Sequence, residues 1–207
     1  MTGSTSILMY LAALAGVFLL PGPDMALVVA TGAARGAAIA LVTALGIAAS
    51  RACHVLMSGI GLAALMAAHP GALYLIRWGG AAYLLYMAYK MLRASLGQAK
   101  TPEAAGAVAL APGAAASFVR GFLTNLLNPK ALLFCSLFLP QFVTAGASVP
   151  LQYLWLGTLL VLSGLFFDVI YALLAARLTR RIKSKSGAGK YVLPAVFVLL
   201  AGRLVAS

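Results

Sequence analysis

The tetrapeptide Pro21-Gly22-Pro23-Asp24 interrupts an apolar stretch that contains no other charged residue between Ser6 and Thr31. Proline removes a backbone hydrogen-bond donor and clashes with the preceding turn, so a helix cannot pass through this point unchanged. In a bilayer, non-helical backbone is tolerated only where protein buries it or where it lines a cavity. An acid at that depth costs about 2.5–3.5 kcal/mol on insertion scales and marks a functional site by default. The motif therefore predicts a broken membrane helix whose break binds or carries a solute.

The composition is that of a membrane protein. Hydrophobic residues make up 63% of the 207 positions and charged residues 9%, whereas soluble domains are about 45–50% apolar and about 25% charged. The formal net charge of +12 would fit a nucleic-acid partner, but the basic residues lie between apolar segments, as in cytoplasmic loops. We therefore expect the chain to contact the lipid bilayer and no nucleic acid.

Several apolar segments reach the length of a membrane-spanning helix, which needs about 20 residues. Because no Lys or Arg precedes Arg35, the first segment is interpreted as a spanning helix and not as a signal peptide. Residues 97–117 are rich in Ala, Gly and Pro and are expected to form a cytoplasmic linker between a first unit, 1–96, and a second unit, 118–207. The six predicted spans are Ser6–Ala30, Ile39–Met66, Ala72–Leu92, Gly121–Val143, Leu151–Ala176 and Tyr191–Ala206.

The first helices of the two units carry similar interruptions. Asn128-Pro129-Lys130 breaks the fourth span as Pro21–Asp24 breaks the first. Three spans per unit would place the units in opposite orientations, and corresponding broken helices in inverted repeats indicate a transport site near the bilayer midplane. The predicted fold is an all-α membrane protein with six transmembrane helices in two inverted three-helix repeats, of which the first and fourth helices are broken.

The residues at the two breaks are the main candidates for binding a substrate. Unwound backbone and the ends of half-helices can hold ions or charged substrate groups, and Asp24 can hold an ammonium group or exchange a proton. Lys130 is interpreted either as a substrate ligand or as a structural counter-ion. Since Asp24 and Lys130 each follow the proline of their break, we expect these opposite charges to face each other across the midplane. The predicted substrate-binding residues are Gly22, Pro23, Asp24, Asn128, Pro129 and Lys130.

Asp168 is the second acid inside a predicted span. It shares one helix face with Gly157, Gly164, Tyr171 and Ala175, because these positions repeat at helical spacing. A charge on a packed face needs a partner or water. Asp168 is therefore expected either to balance charge and relay protons or to form a structural salt bridge, with Arg51 as the candidate partner.

A polar stripe follows one face of the second span. Its central residue, His54, is a candidate proton relay, because histidine is the side chain that ordinarily changes charge near neutral pH, but a hydrogen-bonded core histidine is the alternative interpretation. Arg51 lies at the edge of the stripe. The predicted proton-coupling or charge-balancing residues are Asp168, His54 and Arg51, and the stripe consists of Thr43, Ser50, His54, Ser58 and Gly61.

The sequence leaves two other functions open. A membrane thiol carrier would need Cys53 and Cys135 to meet with their Cα atoms about 4.4–6.8 Å apart, yet the two cysteines lie on non-equivalent spans and neither adjoins a helix-breaking proline. A metal-ion exporter would need a cluster of ligands, and the chain has three acids and two histidines. We predict no catalytic residues, no cofactor and no metal site, so the chain is not expected to be an enzyme.

Through these motifs, the chain resembles the LysE/RhtB family of bacterial amino-acid exporters over nearly its whole length. The resemblance implies an antiporter of the inner membrane that exports an amino acid or a close derivative, such as threonine, homoserine or its lactone, driven by the proton gradient or the membrane potential. It leaves open whether the protein is a monomer or a homodimer. The blocks that carry it are Pro21–Asp24 with Gly32 and Gly36, then Gly46, His54, Gly61-Leu62, Gly80–Leu84 and Leu92-Arg93, and finally Gly121–Leu123, Asn125, Asn128–Ala131, Phe138–Phe142 and Asp168.

The distribution of positive charge predicts that both termini lie outside the cytoplasm. With six spans, one side of the membrane carries 11 Lys and Arg residues and the other carries only Arg77 and Arg203, and the basic side faces the cytoplasm. A C-terminal fusion to a reporter that fluoresces only in the cytoplasm should therefore be dark. A bright fusion would contradict the prediction and would mean an odd number of spans.

Overall fold

A computed structural model describes residues 4–69, 74–75, 78, 113–144 and 148–183 of the chain. Within these residues the structure is helical and contains no strand, which confirms that the fold is all-α; the inverted repeats stay a prediction. The α-helices are α1 (Ser4–Leu19), α2 (Pro23–Arg35), α3 (Ala37–Ala68), α4 (Ala114–Leu126), α5 (Pro129–Leu133) and α6 (Val149–Lys183). A π-helical turn at Phe134–Phe138 and a 3₁₀ turn at Leu139–Phe142 follow α5 directly.

The first predicted span is broken at the predicted position. α1 ends at Leu19 and α2 begins at Pro23, and the two helix axes differ by 59°. Gly22 caps α2 in an extended conformation, with φ −155° and ψ 178°. Pro23 suits the first position of a helix, because the N–H that proline lacks would have no partner there. The sequence of the break thus ends one helix and starts the next.

The fourth predicted span is broken in the same way. α4 ends at Leu126 and α5 begins at Pro129, with an angle of 57° between the helical segments. The side chain of Asn128 caps α5, since its Oδ1 accepts a hydrogen bond of 3.0 Å from the backbone N–H of Lys130. An asparagine before a proline is a favoured way to start a helix.

The structure corrects several predicted boundaries. α2 continues to Arg35 and is separated from α3 only by Gly36, whose φ of 85° is accessible to glycine at little cost. α4 begins at Ala114, so residues 114–117 of the predicted linker are helical. α6 runs on to Lys183, because Arg and Lys are good helix formers and need not end a span. The predicted spans 72–92 and 191–206 lie outside the described residues, apart from positions 74, 75 and 78.

Two helices, Ala37–Leu62 within α3 and Val149–Arg180 within α6, are each long and apolar enough to cross a membrane, and each bent pair can form one further span. α3 packs against both α4 and α6. The predicted face of α6 is confirmed, because Gly157, Gly164, Asp168, Tyr171 and Ala175 are all buried.

The crossing of α3 and α4 depends on two glycines. A Cβ atom at Gly46 would collide with the backbone carbonyl of Phe118, and a Cβ atom at Gly121 would collide with the carbonyl of Thr43. Small residues at such positions let two helix backbones approach closely, which is the main source of helix association in lipid. This close crossing sets the distance between the polar face of α3 and the break that follows α4.

We predict that Gly46→Ala and Gly121→Ala each destabilise the protein, even though alanine favours helix formation over glycine. The added methyl group meets backbone that cannot move independently, and overpacking of this kind costs about 1–3 kcal/mol. Thermal unfolding in detergent should show a lower midpoint for both variants. Gly61→Ala is the matched control on α3, since no described atom lies within 4 Å of its Cβ position, and it should be neutral or stabilising. Equal midpoints for all three variants would contradict the role of the crossing.

Candidate transport site

The two helix breaks meet at a cavity of about 50 Å³, which is room for a few water molecules. Its wall contains charged and amide side chains from five helices or their caps, set among apolar residues such as Phe18, Phe134 and Leu160. Most of the predicted site residues line it, but Pro23, Pro129 and His54 do not. The polar side chains of the wall include Asp24, Arg51, Asn125, Asn128, Lys130 and Asp168.

Asp24 stands in the first turn of α2 and is held by the amides of the other break. Its carboxylate accepts hydrogen bonds from Nδ2 of Asn125 at 2.7 Å and from Nδ2 of Asn128 at 3.3 Å. The positive end of the α2 dipole also favours a negative charge in this turn. The Asp24 side chain nevertheless remains 18% exposed, so it is the more accessible of the two carboxylates in the cavity.

Lys130 connects the second break to the backbone of the first break. Its ammonium group donates to the backbone carbonyls of Val17, at 3.2 Å, and Leu20, at 3.5 Å. The last carbonyls of a helix have no partner within the helix, and a cation near them also interacts favourably with the helix dipole. The hydroxyl of Tyr171 caps the same end by donating to the carbonyl of Phe18 at 2.9 Å. Lys130 is therefore a cap of α1.

The expectation that Asp24 and Lys130 face each other as opposite charges is corrected in part. Both side chains line the cavity, but within the described residues they form no ion pair, and the cation closest to Asp24 is Arg51, with 3.8 Å between Nη2 and Oδ2. The physical reason is that the free carbonyls of α1 provide a nearer set of acceptors for the ammonium group.

Arg51 links the two acids. Its Nη2 donates to Oδ2 of Asp168 at 3.2 Å, so the ion pair that was the alternative interpretation of Asp168 is present; the proton-coupling role of Asp168 stays a prediction. The guanidinium group is almost fully buried, with 4% of its side chain exposed, and its Cζ lies 5.0 Å from the centre of the Phe18 ring. Gly164 makes room for it, because a Cβ atom at that position would overlap the guanidinium group.

His54 does not line the cavity, where a proton relay was expected to lie. Its Nε2 lies 3.2 Å from the backbone oxygen of Asn125, while its Nδ1 is buried with no hydrogen-bond partner among the described residues. This position favours the alternative interpretation of a core histidine that supports the end of α4. Of the predicted stripe, Thr43, Ser50 and His54 are buried, Ser58 is half-buried and Gly61 is exposed.

The two alternative functions receive no specific support from the site. Cys53 and Cys135 are both free thiols. Across the described part of the chain, no group of three or more His, Cys, Asp and Glu side chains is arranged to hold a metal ion. The chemistry of the cavity is instead that of two carboxylates and two cations, which together have no net charge when all four are ionised.

Sequence reasoning missed three contributors to the site. Asn125 is fully buried and binds Asp24 more closely than Asn128 does. The available signal was its spacing of three residues from Asn128, which places both amides on one side of the chain. Phe18 and Gly164 contact the guanidinium group of Arg51. Because both residues are far from Arg51 in the sequence, no local sequence pattern could identify them.

Comparison with known proteins gives a family match over most of the chain. The model of the family described as LysE type translocator matches residues 15–207. An uncharacterised membrane protein of Pseudomonas aeruginosa is 36% identical over 191 residues, which cover 90% of this chain and 88% of that protein. No solved structure matches the chain significantly.

Two further relatives have names that describe a transported solute. The leucine efflux protein of Klebsiella pneumoniae is 30% identical over 206 residues, covering 98% of this chain and 95% of that protein. The homoserine/homoserine lactone efflux protein of Salmonella typhi is 32% identical over 157 residues, covering 72% of this chain and 68% of that protein.

We predict that Lys130→Met lowers stability by more than Arg177→Met does. The first substitution leaves the carbonyls of Val17, in α1, and of Leu20, directly after it, without their charged donor, and hydrogen bonds to charged groups are worth about 1.5–3 kcal/mol. Arg177 is exposed on α6, so its loss should change stability by less than about 0.5 kcal/mol. Membrane abundance and the unfolding midpoint in detergent measure both effects. If the two variants were equally stable, Lys130 would not act as a cap.

Proposed function

Because the chain belongs to the family of LysE type translocators, we propose that it is a secondary transporter that exports an amino acid of the threonine and homoserine class. It acts in the bacterial inner membrane with both termini outside, and the proton gradient or the membrane potential drives it. The single observation that carries this proposal is the cavity between the two helix breaks, where both signs of charge line one small space.

The substrate class follows from the charges. An amino acid at neutral pH is a zwitterion, so a site that receives it needs a carboxylate for the ammonium group and a cation or N–H groups for the carboxylate. Asp24 is a suitable ammonium receptor, because it is partly exposed and its present donors are the neutral amides of Asn125 and Asn128. The effective dielectric constant inside a protein is lower than in water, so each such contact is stronger there than it would be in water.

The small volume of the cavity indicates how the transporter works. Space for a few water molecules is less than an amino acid requires, so the site must widen to receive one. To admit a substrate, the breaks at Gly22 and Asn128 must move apart, and helix breaks can act as hinges because they absorb changes in backbone angles. Movement of α1 against α5 then lengthens the bonds from Lys130 to the α1 carbonyls.

Asp168 balances charge during this movement. It shares Arg51 with Asp24, so a proton or an ammonium group that neutralises Asp24 leaves Arg51 with Asp168 as its only carboxylate within the described residues. A site that stays neutral in both its loaded and its empty form avoids the cost of an uncompensated charge in the bilayer. The relatives named for efflux of leucine and of homoserine or its lactone support a small amino acid or a close derivative as the exported solute.

Expression of the protein should lower the intracellular level of at least one small neutral amino acid and raise its level in the medium. Metabolite profiling of an expressing strain grown on toxic concentrations of each amino acid measures this directly. The control is an otherwise identical strain that carries the empty vector. Unchanged levels in both compartments, with the protein present in the membrane, would refute the proposed function.

Asp24→Asn and Asp168→Asn should each reduce export to background without loss of the protein from the membrane. An amide keeps the size and hydrogen bonding of the carboxyl group but holds neither a full negative charge nor an exchangeable acid proton. Arg177→Gln is the matched control, because Arg177 is exposed and lies away from the cavity, and it should retain normal export. Normal export by both Asn variants would show that the acids are structural.

A further inference from the structure

The break in the first span leaves backbone carbonyls that the helix itself cannot satisfy. In a regular α-helix each carbonyl accepts a hydrogen bond from the N–H four residues further on, but the residue at that position after Val17 is Pro21, which has no N–H. Leu20 lies beyond the last residue of α1, in the bend between the half-helices. The oxygens of Val17 and Leu20 both accept from one distant group, the ammonium nitrogen of Lys130, at 3.2 Å and 3.5 Å.

This ammonium group occupies the position of a bound cation. Unwound carbonyls and the C-terminal ends of half-helices are the groups that hold coupling cations in transporters with broken helices. The negative end of the α1 dipole favours a positive charge at the same place. Nζ of Lys130 also lies beside the unwound segment, 3.7 Å from where a Cβ atom of Gly22 would be. Because Val17, Leu20, Gly22 and Lys130 are all half-buried and line the cavity, water and small ions in the cavity can reach this position.

The charges of the cavity also require a cation here. The described wall carries two carboxylates, Asp24 and Asp168, and two cations, Arg51 and Lys130. Arg51 alone faces both acids, with its Nη2 at 3.2 Å from Asp168 and 3.8 Å from Asp24. Without the ammonium group of Lys130 the cavity would hold one excess negative charge, which is costly in a low-dielectric interior. A soluble cation at the same position would restore both the charge and the bonds to the carbonyls.

We propose that the unwound end of α1 is a binding site for a primary ammonium ion, and that Lys130 fills this site with an ammonium group tethered to the chain in place of a free coupling cation. A tethered cation cannot be released on either side of the membrane, so a sodium gradient cannot drive transport through this site. The inference rests on the proposed function and narrows the energy source to protons or the membrane potential. Lys130 is a positioning residue in this arrangement, because it acts through the backbone of α1.

Chemical rescue of a truncated variant tests the site on the full-length protein. Lys130→Ala removes the atoms of a propylammonium ion and leaves their space joined to the cavity, so propylammonium should bind and raise the unfolding midpoint in detergent. At about ten times its dissociation constant, a ligand raises the midpoint of a protein of this size by about 3–6 °C. Tetramethylammonium carries the same charge but has no N–H to donate, and it should leave the midpoint unchanged. No shift with propylammonium, or equal shifts with the two ions, would overturn the proposal.

Two proteins serve as controls for this rescue. In the wild type the site is filled by Lys130, so propylammonium should not change the midpoint. Arg177→Ala loses the same formal charge from an exposed position on α6, away from the cavity wall, and it should not respond either. A response of either control as large as that of Lys130→Ala would show that propylammonium acts elsewhere on the protein and would overturn the proposal.

Two longer side chains cover the case in which Lys130→Ala fails to accumulate in the membrane. Arginine and glutamine can both donate N–H groups to the carbonyls, but only arginine carries a positive charge. Lys130→Arg should therefore keep an unfolding midpoint closer to that of the wild type than Lys130→Gln does. Equal midpoints, or the reverse order, would show that the carbonyls need only a donor and not a cation, and would overturn the proposal.

Transport by the wild type tests the consequence for energy coupling. Uptake of radiolabelled leucine and of radiolabelled homoserine into inside-out membrane vesicles is measured in sodium chloride and in choline chloride of equal ionic strength. Uptake should be the same in both salts, because the cation site is already filled. Uptake that requires sodium would overturn the role of Lys130 as a tethered cation while leaving amino-acid export intact. Vesicles that take up neither amino acid in either salt would instead refute the proposed function and, with it, the part of this inference that concerns energy coupling.

Discussion

The site depends on an exchange of polar partners between the two helix breaks. Asp24 of the first break accepts hydrogen bonds from Asn125 and Asn128 of the second, while Lys130 of the second donates to the α1 carbonyls of the first. Each break leaves groups that would be unpaired in lipid, where such groups cost several kcal/mol. Because each break supplies polar partners to the other, movement at one break changes the hydrogen bonds of the other.

The remaining charges are arranged around this exchange. Arg51 reaches from α3 toward both acids, and its position is possible only because Gly164 on α6 has no side chain to occupy the same space. The close crossing of α3 and α4 at Gly46 and Gly121 brings the polar face of α3 up to the second break. These glycines carry no charge themselves, but they set how closely the charged side chains of the site can approach one another.

The charges of the cavity cancel, but some of its polar groups could form further hydrogen bonds. Two carboxylates and two cations cancel, yet Nη1 of Arg51 has no partner among the described residues and Asp24 remains partly exposed. A fully satisfied network would favour a single rigid state. Asp24 is therefore the acid of this network that can most readily exchange its partners.

The local sequence determined the helical fold class, the two breaks and the identity of the charged residues. Proline, glycine and asparagine act on their own turn of the backbone, and an isolated acid in an apolar segment is conspicuous without knowledge of its surroundings. Only the tertiary structure decided which groups meet. Lys130 caps α1 instead of pairing with Asp24, Asn125 becomes the main partner of Asp24, and Gly164 admits Arg51, because these contacts join residues more than 80 positions apart. Such distances are fixed by how helices pack, and packing depends on the shapes of all the helices at once.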